Sequence, residues 1–176
     1  MKRILFSLYL SLIAILTFAT DGFTVADVFT DHMVLQRNAI IKIWGEAQNG
    51  SLVEVRFAGQ LQKVKAIQGK WQVTLKTGEA GGPYKLEVIN GNNKVSFQDV
   101  LIGDVWLAGG QSNMEFALRR VKDAQTEISL ADYPQIRYYK VPRKFYPEQD
   151  VSKASWRVCS PQTAPEFSAI AYYFSR

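Results

Sequence analysis

Apolar residues fall at every second position in Val53-Glu54-Val55-Arg56-Phe57 and again in Trp71-Gln72-Val73-Thr74-Leu75. A period of two turns one face of each run toward a core and the other toward water, which is the signature of a half-buried β-strand. Four more β-rich runs share the region: Ile40 to Trp44, Leu61 to Ile67, Tyr84 to Ile89 and Val95 to Val100. Between the runs lie Gln48-Asn49-Gly50, Ala58-Gly59-Gln60, Gln68-Gly69-Lys70, Gly78 to Pro83 and Asn90-Gly91-Asn92-Asn93. Gly and Asn tolerate positive φ, so Ala58-Gly59 and Asn90 to Asn93 read as hairpin turns. Short strands at this spacing predict a small antiparallel β sandwich with its own core, spanning residues 20–100.

The texture changes at Leu101-Ile102-Gly103. Val105 to Ala108 is apolar on both faces, as a strand covered from both sides should be. Gly109-Gly110 then lets the backbone turn without a Cβ penalty. Met114, Ala117, Leu118 and Val121 recur at helical spacing and predict an amphipathic helix packed back on that strand. A second helical stretch from about Asp123 to Leu130 stops at Tyr133-Pro134. Strands near Ile136 to Val141 and Trp156 to Val158 follow, with loops at Pro142 to Val151 and Ser160 to Pro165 and a helix from Glu166 to Ser175. Strand and helix in alternation predict an α/β domain with a parallel sheet over residues 101–176. At ~30 residues or more per βαβ unit, this length holds only the first two or three strands of such a sheet.

Between the expected strand and helix stands Gly109-Gly110-Gln111-Ser112-Asn113. A serine at a helix start has free backbone N–H groups and a partial positive charge beside it, which suits an oxyanion developing in acyl transfer. As a bare Gly-x-Ser, the segment is equally an ordinary turn with Ser112 as its cap. Gln111 and Asn113 are either donors to an acyl carbonyl or simply turn residues.

The wider stretch Gly-Asp-Val-Trp-Leu-Ala-Gly-Gly-Gln-Ser-Asn-Met-Glu, residues 103–115, closely resembles the first block of the sialate O-acetylesterase branch of the SGNH hydrolases. Upstream, Val28 to Arg37 and Trp44-Gly45 continue the resemblance; downstream, Ile136-Arg137, Trp156 to Pro161 and Phe167 to Phe174 do the same. The resemblance implies a flavodoxin-like α/β hydrolase domain after the sandwich, with Ser112 as the nucleophile. It further implies hydrolysis of O-acetyl esters on sialic acid or a related glycan, without a cofactor. An acetylxylan-type substrate and a non-catalytic, glycan-binding sandwich are the alternatives, the latter resting on Trp44, Trp71 and Tyr84 as candidate sugar platforms.

An acyl-transferring serine needs a base, commonly a histidine oriented by a carboxylate. His32 is the only histidine, and it stands at the entry to the sandwich, far ahead of Ser112. It reads as structural or surface. The family's Asp-x-x-His element has no match here, so the resemblance supplies the nucleophile without its base. The segment is expected to be the N-terminal part of a longer fold, inactive alone and completed, in one reading, by a separate chain. Asp104, at a strand entry, and Glu115, in a first helical turn, are unconvincing bases. Arg119 and Arg120 are candidates to face a sugar carboxylate, though exposed arginines of this kind ordinarily serve as solvated charges. No Cys/His or carboxylate set has metal-ligand spacing, and no Gly-rich phosphate loop occurs.

Lys2-Arg3, the apolar run Ile4 to Phe18, and Thr17 and Ala19 at positions −3 and −1 form the three parts of a secretory signal peptide, residues 1–19. The run is short for a stable membrane anchor, so a secreted or periplasmic product is expected. Cleavage lowers the basic count from 21 to 19 against 16 acids, a net charge of about +3. The basic residues are scattered without interleaved aromatics, which argues against nucleic acid as a partner. The single cysteine, Cys159, rules out an intrachain disulfide and reads as a packed small hydrophobe.

Overall fold

The structure, a computed structural model, describes residues 22–142 and 154–176. The expected signal peptide and nearly all of the expected loop at Pro142 to Val151 lie outside the described residues. In chain order the strands are β1 (Thr24–Val25), β2 (Val34–Gln36), β3 (Ile40–Glu46), β4 (Leu52–Phe57), β5 (Gln60–Lys65), β6 (Lys70–Lys76), β7 (Gly81–Asn90), β8 (Asn93–Gly103), β9 (Tyr133–Tyr139) and β10 (Trp156–Cys159). Among the described residues, two short α-helices, α1 (Ala124–Ser129) and α2 (Ala169–Ser175), accompany them. The protein is mostly β, with few helices.

The six runs with strand character all form strands, each within a few residues of its expected limits. They divide between a three-stranded antiparallel sheet, β1-β3-β6, and a five-stranded sheet, β2-β8-β7-β4-β5. The larger sheet is mixed rather than wholly antiparallel. Val34, Leu35 and Gln36 of β2 run parallel to Leu101, Ile102 and Gly103 of β8. Three residues without strand periodicity of their own are extended here by the ladder that β8 offers.

Alternation decides what is buried. Val53, Val55 and Phe57 of β4 point inward beside Leu86 and Val88 of β7, in the register Val55↔Val88 and Phe57↔Leu86. Trp71, Val73 and Leu75 of β6 do the same beside Ile43 of β3. These side chains from both sheets form one cluster with Met33, Val100 and Ile102. Each such burial stabilises by roughly 1.5–3 kcal/mol. Gly45 is needed where β1 pairs with β3: a Cβ there would lie 2.0 Å from the Thr24 carbonyl oxygen.

The wet face carries charge pairs instead. Glu87 accepts from Lys85 and Lys94, each at 2.7 Å, and these hydrogen bonds outweigh desolvation to hold its carboxyl at about 2, against an ordinary 4.5. A carboxylate held low favours the folded state above pH 4.5, and that contribution fades as pH falls toward 2. Urea melts across pH should therefore show Glu87→Gln destabilising at pH 7 and indistinguishable from wild type at pH 2. A pH-independent difference would mean that the pair does not act through charge.

Beyond Gly103 the expectations need correction. Residues 104–110 form no strand. Met114 to Val121 is not an amphipathic α-helix but two one-turn 3-10 helices, Ser112–Glu115 and Leu118–Arg120, separated by extended residues. The expected parallel sheet is replaced among the described residues by the antiparallel pair β9-β10. A strand that is apolar on both faces exists only where neighbouring strands supply its ladder and layers cover both faces; among the described residues no strand pairs with residues 104–110, and Trp106 and Leu107 stand exposed.

A second cluster forms under these elements from Leu118, Ala131, Cys159, Ala164, Phe167, Ala169 and Tyr172. Cys159 is buried and unpaired with another cysteine, and burial pushes its thiol pKa up, as suits a packing residue. Among the described residues, no helix is long and apolar enough to cross a membrane.

Candidate active site

Ser112 opens its 3-10 turn with φ +42°, a left-handed conformation that a non-glycine residue adopts at a cost. Gln111 before it is extended, at φ −124° and ψ −175°, so the chain reverses direction at the serine. Gln111, Ser112 and Asn113 are all exposed. The turn is closed by Met114 N–H donating to the Gln111 carbonyl at 2.8 Å. Neither the Ser112 nor the Asn113 N–H donates within the chain among the described residues, so two adjacent donors remain open beside the hydroxyl. The single turn behind them carries little of the macrodipole expected from a full helix. What the site offers an oxyanion is these two N–H groups.

Two sets of contacts hold this turn. On its C-terminal side, Leu118 N–H donates to the Phe167 carbonyl at 2.9 Å and Ala169 N–H to the Phe116 carbonyl at 2.8 Å. Between those bonds the Ser168 hydroxyl meets the Met114 sulfur at 3.4 Å while capping Ala171 N–H of α2. On its N-terminal side, Gln36 Oε1 accepts from Val105 N–H at 2.8 Å, and Arg37 pairs with Asp104 at 3.0 Å. These bracing residues carry no signal in their own stretches of sequence. Ser168 was legible as a cap ahead of Ala169-Ile170-Ala171, but that it reaches Met114 was not.

His32 is committed elsewhere. Its Nδ1 lies 2.7 Å from Asp99 Oδ2, at a bulge in β8 where Asp99 takes φ +53°. Arg137 of β9, with a side chain only 5% exposed, reaches the same carboxylate at 2.9 Å. Desolvation raises the Asp99 pKa, but the His32 hydrogen bond and the Arg137 charge together hold it below its ordinary value. Trp156 of β10 completes the seam, donating through Nε1 to the Val28 carbonyl and through its backbone N–H to Thr30 Oγ1. Arg137 thus ties β9 to β8 through Asp99, the carboxylate that His32 also holds.

Asp104 is spent on Arg37, Arg119 pairs with Glu166 at 2.6 Å, and Arg120 lies over the Phe116 ring at 4.9 Å. Of the candidate sugar platforms, Trp71 is buried and Tyr84 packs on Phe57, while Trp44 remains part-exposed with its ring edge against Phe29. Among the described residues, no three His, Cys, Asp or Glu side chains come together to hold a metal ion.

Known proteins resemble this chain in sequence and fold. The fold matches the crystal structure of a carbohydrate acetylesterase from Xanthomonas citri at a TM-score of 0.80 and 37% identity, over 86% of this chain and 36% of that one. The fold is thus that of the corresponding part of a carbohydrate acetylesterase. Human sialate O-acetylesterase is 35% identical over 133 residues, and the rat protein of the same name 36% over 135, each match covering 68% of this chain. No family model matches. Over the matched residues the chain thus resembles the sialate O-acetylesterases, and it spans about a quarter of the length of the curated relatives it matches.

Proposed function

We propose that this chain is the nucleophile-bearing portion of an exported carbohydrate esterase that removes O-acetyl groups from sialic acid or a related glycan. The observation that carries the reading is Ser112, exposed on a left-handed turn beside two open N–H donors. In this reading residues 20–100 form a β sandwich, and residues 101–176 open an SGNH-type hydrolase domain. Ser112 Oγ attacks the acetyl carbonyl, its proton passing to a base. The tetrahedral oxyanion lies against the Ser112 and Asn113 N–H groups, with Gln111 and Asn113 side chains available to the acyl or sugar oxygens. Collapse expels the sugar hydroxyl, and water then releases acetate from the serine ester.

Among the described residues, no histidine stands ready as a base for Ser112. His32 is held by Asp99, and the chain has no other histidine. Loss of a triad base leaves only a small residue of catalysis, so the chain alone is expected to turn over an aryl acetate at a rate near background. The remainder of a family esterase should restore acetate release when added. Enzyme-like turnover by the chain alone, abolished by Ser112→Ala, would show that it carries a base of its own.

A further inference from the structure

The chain leaves the larger sheet for the Ser112 turn through Gly103-Asp104-Val105, and the end of β2 holds all three residues. Arg37 N–H donates to the Gly103 carbonyl at 2.8 Å, Arg37 Nε donates to Asp104 Oδ1 at 3.0 Å, and Val105 N–H donates to Gln36 Oε1 at 2.8 Å. Backbone pairing of β2 with β8 stops at Gln36↔Gly103, so the Gln36 carboxamide serves beyond it as a strand carbonyl would, while its Nε2 turns back to donate to the Arg37 carbonyl at 3.3 Å. β2 is itself fixed from the core. Thr77, 3% exposed, donates its hydroxyl proton to the Gln36 carbonyl at 2.6 Å and accepts from Ala39 N–H at 3.1 Å. A contiguous set of hydrogen bonds therefore runs from the buried Thr77 through Gln36 to Val105. Past Val105, among the described residues, none of the N–H groups from Trp106 to Gly110 donates a hydrogen bond. The next cross-links lie beyond the serine, where Phe116 and Leu118 bond to Ala169 and Phe167.

We infer that Gln36 and Arg37 are positioning residues for Ser112: they fix the near end of the span that carries the serine, so that the β domain aims the nucleophile. A non-glycine residue stays left-handed only where its surroundings over-determine it. The single 3-10 turn around Ser112 does not do so by itself, whereas a span anchored at both ends does. Stability alone does not account for the near anchor. The side chains of Arg37 and Asp104 are 41% and 50% exposed, and an ion pair so exposed adds little to folding. What it adds is direction, together with the Gln36 bond that fixes the next residue. Release of this end lets the span turn about Val105 and lets Ser112 relax toward ordinary φ, which carries the hydroxyl away from its two open N–H neighbours. The inference rests on the proposed function for what Ser112 does, and it adds what holds the serine in place.

The turn can be read directly, without activity. In the isotope-labelled full chain, the HN–Hα coupling and carbon shifts of Ser112 report its φ, and in the wild type they should report a left-handed serine. Gln36→Ala and Arg37→Ala are each expected to lower the ratio of left-handed to other forms by about 3- to 10-fold, the effect of one lost hydrogen bond on a two-state equilibrium. Gln36→Glu keeps an acceptor for Val105 N–H and should behave as the wild type. Lys63→Ala removes another surface ion pair, that to Glu54, and should leave Ser112 unmoved. Shifts of the strand residues should stay in place throughout, which separates a released turn from a lost fold, and Arg37→Ala carries the test if Gln36→Ala unfolds. In an acetate-releasing assembly containing this chain, kcat should fall by the same factor at unchanged KM. A Ser112 unmoved by either alanine, moved equally by Lys63→Ala, or released without a fall in kcat would overturn the inference. A turn that moves as expected in a chain whose assembly still releases acetate after Ser112→Ala would overturn the proposed function and leave the positioning of the turn standing.

Discussion

Ser112→Ala is expected to lower acetate release by an active assembly containing this chain about 10,000-fold or more, because no other group on this chain replaces a lost nucleophile. The change should leave folding intact. Ser112 is exposed, and its hydroxyl makes no hydrogen bond within the chain among the described residues. Stability adds a second readout. At φ +42° alanine suffers the same Cβ crowding as serine, so Ser112→Ala should be neutral, whereas Ser112→Gly removes the Cβ and should stabilise by up to about 1 kcal/mol. A variant that is more stable and inactive is the pattern expected where backbone strain is kept for a functional side chain. Acetate release by the assembly and melting of the chain alone measure the two effects separately. Retained activity in Ser112→Ala would remove the serine from the mechanism; a destabilised glycine variant would mean that the turn is not strained.

Trp71→Ala is expected to destabilise the protein by about 3–5 kcal/mol, enough to leave many domains of this size largely unfolded. The indole is 3% exposed and packs in the main core cluster beside the β1-β3 pair. Its Nε1–H is shared between the Thr24 and Glu46 carbonyls, at 3.2 Å each, so the ring also pins β1 to the smaller sheet. Trp71→Phe divides the two contributions. It keeps much of the packing and leaves both carbonyls without that donor, for an expected loss of about 1–3 kcal/mol. Denaturant midpoints of the two variants are the measurement. Equal losses would mean that the hydrogen bonds matter more than the ring, and a negligible loss in Trp71→Ala would mean that the sheets close over the cavity.

Thr24 is drawn to Trp71 across 47 positions of sequence, and a similar span separates what was legible from what was not. Every run with a period of two became a strand, because the alternation of Val53 to Phe57 or Trp71 to Leu75 states by itself which face is buried. The sharp serine turn was legible for a related reason. Gly109-Gly110 ahead of Ser112 and Asn113 is local chemistry, and local chemistry sets a turn.

Val34 to Gln36, by contrast, are extended because β8 happens to lie beside them, parallel, 67 residues further on. Asp99 occupies a bulge where His32, from the turn ahead of β2, and Arg137 of β9 converge on its carboxylate. Neither arrangement has a signal in its own stretch of chain.

Val105 to Ala108 shows the division most clearly. Their composition is that of a buried strand, yet a strand is completed by hydrogen bonds to neighbours and by layers on its faces, and those are not properties of four residues. The sequence by itself determined which residues can be strands, where the chain turns and which serine stands exposed at the turn. Only the tertiary structure decided which strands pair, what braces the serine and which apolar surface is left open, because each depends on groups that folding alone brings within reach.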